Sequence, residues 1–413
     1  MVERAVQYPG APDVPHHPLI PDGPGQSARE RSRTALYVHV PFCAVQCSYC
    51  HFSKGPVSAI ALERWFTGLE REVRLREPQA AGSTFTSVFF GGGTPSVLSS
   101  RHFARLMTLL RGAFTIAPDA EVTLEANPES VRPSLLAAWR ANGVNRLSMG
   151  AQSFEPAELR ALGRIHDEHR PADAVALART HGFERISVDL MFAYPGHTSA
   201  AFARSLERAL ELGVEHLSCY CYITEAGTPL GDAVLAGTQA LPGDDAQAEL
   251  YAALESTCAA AGFAPYETSN FCRPGAEARH NLTYWLRRDY LALGPSAHGL
   301  WRGQRYANHF TLAGWAAALE QGAAPHADHE IVTPAQAADE IVLLGLRLAS
   351  GLWAADHTPE IWAALDQRYG DAFRAACSQG RLEATAQGWR IPAAHRFVAD
   401  DTIAWLAARA RSG

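Results

Sequence analysis

The chain has 413 residues, of which 47% are hydrophobic, and this is enough apolar material for one large catalytic domain plus a smaller one. A formal net charge of −7 leaves no electrostatic footprint for general nucleic-acid or anionic-membrane binding, and a single lysine, Lys54, excludes polybasic anchoring. The absence of a bilayer-length apolar run and of a charged-then-apolar leader predicts a soluble cytoplasmic protein without an integral membrane segment.

Residues 1–33 carry Pro9, Pro12, Pro15, Pro18, Pro21 and Pro24 with few apolar anchors, which predicts a disordered N-terminal segment. Residues 35–40 read as a short buried strand that stops at Pro41 and delivers a cysteine-bearing loop from its C-terminal end. Near-helical spacing of Ile60, Leu62, Trp65, Phe66, Leu69 and Val73 predicts an amphipathic helix over 58–76. A second strand over 86–90 runs into Gly91-Gly92-Gly93-Thr94-Pro95 before a helix over 101–114. Strands over 121–126, 145–149, 186–191 and 216–222 follow, separated by helical stretches such as 133–142, 172–181 and 200–212.

Six strand-helix alternations predict an α/β fold with a parallel sheet, a partial (β/α)6 TIM-type barrel over 34–235. An α+β extension follows over 236–324. It holds a long helix over 244–261 and the block His280-Asn281-Leu282-Thr283-Tyr284-Trp285. Over 325–413, helices at 335–348, 361–369, 371–377 and 399–410, with short strands near 382 and at 389–391, suggest a small winged-helix-like domain.

Chemistry concentrates in the first loop, where Cys43, Cys47 and Cys50 fall at a Cys-x3-Cys-x2-Cys spacing. Thiolates are soft donors suited to zinc, copper(I) or iron-sulfur clusters. A closed zinc site would need a fourth ligand, for which His39 or His51 could serve, and the alternative would then be a zinc-stabilised binding module. The preferred reading is a 4Fe-4S cluster with one iron lacking a protein ligand, because clusters held only for electron transfer usually carry four cysteines. Cys219, Cys221, Cys258, Cys272 and Cys377 are scattered and read as mostly core thiols.

Together with Tyr49 before the last cysteine, this spacing resembles the radical S-adenosylmethionine (SAM) superfamily. The resemblance implies that the open iron chelates the methionyl amino and carboxylate groups, and that one electron cleaves the sulfonium to a 5'-deoxyadenosyl radical. Glycine at 91–93 permits close approach to a ligand at the sheet edge. Glu125, Gln152, Arg164 and Asp189 lie near strand ends and offer acceptors for ribose hydroxyls and the ammonium, and a guanidinium fork for the carboxylate.

Residues 37–52, 91–95, 143–150 and 280–285 are similar to the oxygen-independent coproporphyrinogen III oxidase-like family, over a match from about residue 35 to the C-terminus. Within it the resemblance is to the heme chaperone branch, HemW. The dehydrogenases have a further cysteine two places after the third ligand, where this chain has Phe52, and the 280–285 block is similar to the His-Asn-x-x-Tyr-Trp motif of the chaperones. The resemblance implies SAM contacts at Tyr37, Gly92, Gly93, Thr94, Glu125, Gln152, Arg164, Asp189 and Ile223, with adenine against backbone near Ile223. It also implies heme as cargo, held through His280 with Tyr284 and Trp285 on the macrocycle, and acceptor hemoproteins as partners. An electron donor is needed if SAM is cleaved. Coproporphyrinogen III dehydrogenation, and radical methyl transfer or related tailoring, are the enzymatic alternatives.

Overall fold

The computed structural model describes residues 33–410. The proline-rich segment expected to be disordered over 1–33 therefore lies outside the described residues, except for Arg33.

The strands β1 (Arg33–Val40), β2 (Thr84–Gly92), β3 (Thr115–Ala126), β4 (Arg146–Gln152), β5 (Arg185–Phe192) and β6 (His216–Cys221) lie side by side in chain order and pair in parallel. Between them run α1 (Ala59–Arg76), α2 (Ser100–Ala113), α3 (Pro133–Ala141), α4 (Pro156–Ala161), α5 (Arg170–Thr180) and α6 (Ser199–Glu211). Local chemistry explains the units. Ser58 caps α1 by accepting from the Ala61 amide, and Trp65, Phe66, Leu69 and Val73 form its buried stripe. Along β1 the side chains alternate: Leu36, Val38 and Val40 join the main core, and Tyr37 and His39 point to the other face.

The sheet is wider than the six expected strands. After α7 (Pro229–Leu235) and α8 (Asp244–Ala260), β7 (Ala264–Pro265) and β8 (Asn270–Cys272) add antiparallel beside β6. Past α9 (Arg279–Trp285), β9 (Tyr290–Leu293) inserts parallel to β1 at the opposite edge. Its apolar residues Leu291, Ala292 and Leu293 are fully buried, as a strand covered on both faces requires. β10 (His298–Trp301), β11 (Gln304–Asn308) and β12 (His326–Ile331) continue antiparallel, giving a twelve-stranded sheet with α10 (Leu312–Glu320) between β11 and β12. An open barrel exposes unpaired backbone at both edges. Residues expected to form a separate extension cover those edges, and the sheet continues through Ile331, past the boundary expected at residue 325.

A buried carboxylate fastens the late strands to α1. Glu72 is fully buried and accepts from the Gly294 amide at 2.8 Å, Asn308 Nδ2 at 2.8 Å and Trp315 Nε1 at 3.1 Å. Burial raises its pKa to about 7 against the opposing pull of Arg76 and these donors.

The C-terminal unit has its own core, in which Leu365, Phe373, Ala376 and Leu406 are fully buried. It comprises α11 (Pro334–Gly345), α12 (Pro359–Ser378) and α13 (Ala399–Ala410), with short strands Leu352–Trp353, Gly388–Arg390 and Glu383–Ala384 forming a three-stranded sheet. The two helices expected at 361–369 and 371–377 are one. Gly370 does not break α12, because the buried stripe of Leu365, Tyr369 and Phe373 continues across it and outweighs the modest cost of a helical glycine. Among the described residues no helix is long and apolar enough to cross a membrane.

Candidate functional site

β1 ends at Val40, and the cysteine loop leaves from the C-terminal edge of the sheet, where ligands collect in parallel α/β folds. Phe42–Cys43 pairs in parallel with Gly55–Pro56, closing the loop at its base, and the Gly55 amide donates to the Pro41 carbonyl at 2.9 Å. Its far side is tied to the barrel: Ser48 N donates to Leu162 O at 3.3 Å, and Leu230 N donates to Ser48 O at 2.9 Å. Cys43, Cys47 and Cys50 are free thiols, each partly buried, and so are the remaining five cysteines free, with Cys219, Cys258 and Cys272 in the core.

The glycine loop clamps the start of the cysteine loop. Gly93 N donates to Val40 O at 2.9 Å and Thr94 N to Phe42 O at 2.7 Å. A Cβ at Gly93 would sit 2.6 Å from Phe42 O and 2.8 Å from Val40 O, so close packing of backbone on backbone requires glycine there. Gly92 has φ +105° and its amide donates to Glu125 Oε2 at 3.2 Å. Close packing on His39 and on the Val40–Phe42 backbone thus already calls for glycine at 92 and 93.

Thr94 and Arg164 reach the thiols. Thr94 Oγ1 lies 3.3 Å from Cys43 Sγ, and Arg164 Nη1 donates to Cys47 Sγ at 3.4 Å. Nη2 of Arg164 bonds Asn127 Oδ1 at 2.8 Å and Gly150 O at 2.7 Å, which locks the guanidinium across the ends of β3 and β4. Lys54 donates to the Cys50 carbonyl. Burial pushes the Cys43 thiol up, while the Thr94 hydrogen bond and the Lys54 charge pull it down. Three soft donors on one loop, with a hydroxyl and a guanidinium directed at two of them, suit an iron-sulfur cluster. Among the described residues no three His, Cys, Asp or Glu side chains gather tightly enough to hold a single metal ion. His39 does not serve as a fourth ligand: its Nε2 faces Ser53 O at 2.9 Å, its Nδ1 faces Tyr37 Oη at 3.1 Å, and burial lowers its pKa to about 4. The carbonyl needs a donor, so Nε2 carries the proton and Nδ1 accepts from the tyrosine. His51 is exposed on the loop surface.

Below the loop, Glu125 and Asp189 face the same interior. Burial and then the charge of Asp189 raise Glu125 from 4.5 to about 8, opposed by the Gly92 amide and by Arg146. Burial raises Asp189 from 3.8 to about 6, opposed by Ser218, Ser148 and Arg146, with Ser148 Oγ donating at 3.1 Å. Tyr37 is shifted up by burial and by Glu125. Gln152, with φ +68°, ends β4 at a register shift beside Gly150. Ile223 stands just past β6 and is 72% exposed. Hydrogen bonds thus join Cys43 to Thr94, Cys47 to Arg164 and Gly92 to Glu125, the charge of Asp189 reaches Glu125, and Tyr37, Gln152 and Ile223 lie on the same set of strands and strand ends.

Sequence reasoning missed Arg146, Asn127 and Ser148. Arg146, only 2% exposed, projects its charge onto Glu125, Asp189, His216 and His280. Its signal was position: it opens β4 and shares the inward parity of Ser148 and Gly150.

The His-Asn-x-x-Tyr-Trp block lies beneath this group and meets it at Tyr37, whose ring centroid is 6.4 Å from that of His280. It is α9, seated against the N-terminal half of the barrel strands, where Ala35, Ser87 and Glu121 share one register level. His280 is 1% exposed; its Nδ1 lies 3.0 Å from Ser87 Oγ and its Nε2 2.8 Å from Tyr284 Oη, and its ring stacks on Phe89 at 5.0 Å. Its amide donates to Glu121 Oε1 at 3.1 Å, and burial lowers its pKa to about 3. Both ring nitrogens are engaged, so the expected axial ligation of heme iron by His280 does not fit this packing. Tyr284 packs edge-on to Tyr290, and Arg347 of the C-terminal unit lies over Trp285 at 6.0 Å. Through Trp285 and Arg347 the block meets the C-terminal unit.

The radical SAM superfamily model matches residues 37–209, which spans β1 through α6 and includes the cysteine loop. A protein of Mycobacterium tuberculosis named heme chaperone HemW is 38% identical over 353 residues, covering 85% of this chain and 87% of that one. The chain belongs to the HemW family. The HemW of Bacillus subtilis is 32% identical over 349 residues, 84% of this chain and 92% of its own. Among solved structures, the coproporphyrinogen III oxidase HemN of Escherichia coli, a radical SAM enzyme, matches with a TM-score of 0.78 at 24% identity, covering 92% of this chain and 91% of that one. That likeness establishes a HemN-like radical SAM α/β fold for nearly the whole chain.

Proposed function

We propose that this chain holds a 4Fe-4S cluster on Cys43, Cys47 and Cys50, binds SAM at the C-terminal ends of its barrel strands, and carries heme as cargo to acceptor hemoproteins. The observation that carries the reading is the kinship with proteins named heme chaperones along most of the chain, joined to a loop with three thiols and Phe52 in place of a further cysteine. When bound, the cluster supplies an iron with no protein ligand for the methionyl end of SAM. The chain's own residues have distinct tasks. Thr94 and Arg164 fix the thiols, and the Gly93 and Thr94 amides hold the start of the loop. Glu125 and Asp189 accept from cationic and hydroxyl groups, Gln152 and Tyr37 complete the polar wall, and backbone near Ile223 meets adenine. SAM cleavage, where it accompanies transfer, draws its electron from an external donor. The acidic balance and the absence of an apolar span favour a cytoplasmic setting and disfavour nucleic acid as partner.

Anaerobic reconstitution followed by parallel assays tests the proposal. Expected are four irons and four sulfides per chain, in line with one 4Fe-4S cluster, an electron paramagnetic resonance signal that changes on adding SAM, and saturable hemin uptake in the Soret region. Turnover of coproporphyrinogen without hemin uptake would replace cargo binding by the dehydrogenase reading, methylated product would point to a tailoring enzyme, and bound zinc in place of iron would remove the cluster.

A further inference from the structure

A cargo iron needs a base that His280, sealed between Ser87 and Tyr284, does not offer. At the cluster end of the barrel, His51 follows the third loop cysteine and is exposed, with its ring 6.0 Å from that of Phe310. Two large apolar side chains belong to this spot, Phe52 next in the chain and Phe310 across from the ring, and they are 67% and 52% exposed. Single exposed apolar residues are ordinary, but two exposed aromatic rings beside an exposed imidazole offer a face to a flat apolar ligand.

The patch is held in shape. Ser53 stands between the two segments, its hydroxyl donating to the Phe310 carbonyl and its own carbonyl accepting from His39, and this fixes residues 51–54 against the loop that carries Phe310. Lys54, the chain's one lysine, gives one N–H to the Cys50 carbonyl and retains two further donors for a carboxylate. An imidazole, exposed aromatic rings and an ammonium are what the iron, the macrocycle and a propionate of heme require. Another exposed imidazole, His169, instead has the carboxylate of Glu168 at 3.6 Å.

We propose that His51 is an axial ligand to the iron of a heme seated on Phe52 and Phe310, with Lys54 pairing a propionate. This rests on the cargo reading above and names its site. The test is hemin titration of the full, cluster-loaded chain, followed by Soret absorption and by the electron paramagnetic resonance of ferric heme, with iron and sulfide content checked in each variant. His51→Ala should raise Kd by about tenfold or more and abolish the imidazole-ligated signal. His51→Met should retain binding with a shifted spectrum, which a purely structural role for the residue would not produce. His280→Ala should leave the bound-heme spectrum unchanged. Wild-type spectrum and affinity in both His51 variants, or loss of the signal in His280→Ala alone, would overturn the assignment. Failure of the unmodified chain to take up hemin would bring down the cargo reading as well, and so is a distinguishable outcome.

Discussion

Replacing Gly93 by alanine tests how the two loops hold each other. The added Cβ meets only backbone, Phe42 O at 2.6 Å, Phe42 N at 2.8 Å and Val40 O at 2.8 Å, so no side chain can swing aside to make room. The loops must part, and the bonds Gly93 N to Val40 O and Thr94 N to Phe42 O stretch with them. Overpacking of this kind costs roughly 1–3 kcal/mol and each of the two weakened hydrogen bonds about 1 kcal/mol, so the loss is on the order of 3–5 kcal/mol. Urea unfolding of the apo chain measures that cost, and iron and sulfide content after anaerobic reconstitution measures the effect on the cysteine loop. Both should fall. Gly55→Ala is the matched control, since a Cβ there meets nothing within 4 Å at the same loop's base, and it should behave as the parent chain. A Gly93→Ala chain with parental midpoint and full iron content would refute the clamp.

Other expectations follow from the buried polar groups. Glu72→Ala removes the acceptor for three buried donors beside Arg76 and should cost about 3–5 kcal/mol, with Glu72→Gln costing less, as read by chemical unfolding. Glu125 is held protonated in the folded chain up to about 8, against an ordinary 4.5, so it opposes folding increasingly as pH rises through that window. Glu125→Gln should therefore flatten the decline in stability between pH 6 and pH 8, and an unchanged slope would show the carboxyl to be unstrained. Arg164→Gln cannot bond Cys47, Asn127 and Gly150 at once. It should lower cluster retention in a chelator challenge while leaving the far-ultraviolet circular dichroism intact.

The strand-helix alternation was legible because each βα unit is a local affair of spacing, caps and turns: β1 stops at Pro41, α1 starts at the Ser58 cap, and α13 spans the residues its periodicity predicts. The three thiols were legible for the same reason, since their spacing within one loop is a property of the chain alone. Gly370 misled because a glycine signals a break only where packing does not override it. The triplet at 91–93 read as room for a ligand, and the fold adds a second demand for glycine at 92 and 93, the close approach of His39 and Phe42.

By itself, then, the sequence determined the barrel class, the cysteine loop at a strand's C-terminal end and the family kinship, all of which depend on contacts near in sequence or on motifs. Only the tertiary structure decided that β9 fills the open edge beside β1, that the charge of Arg146 acts on both Glu125 and Asp189, and that His280 is a sealed support with His51 left in the open. Those outcomes turn on pairings and burial between residues hundreds of positions apart, such as Ser87 with His280, and an imidazole's chemistry is set by which neighbours the fold brings to its two nitrogens.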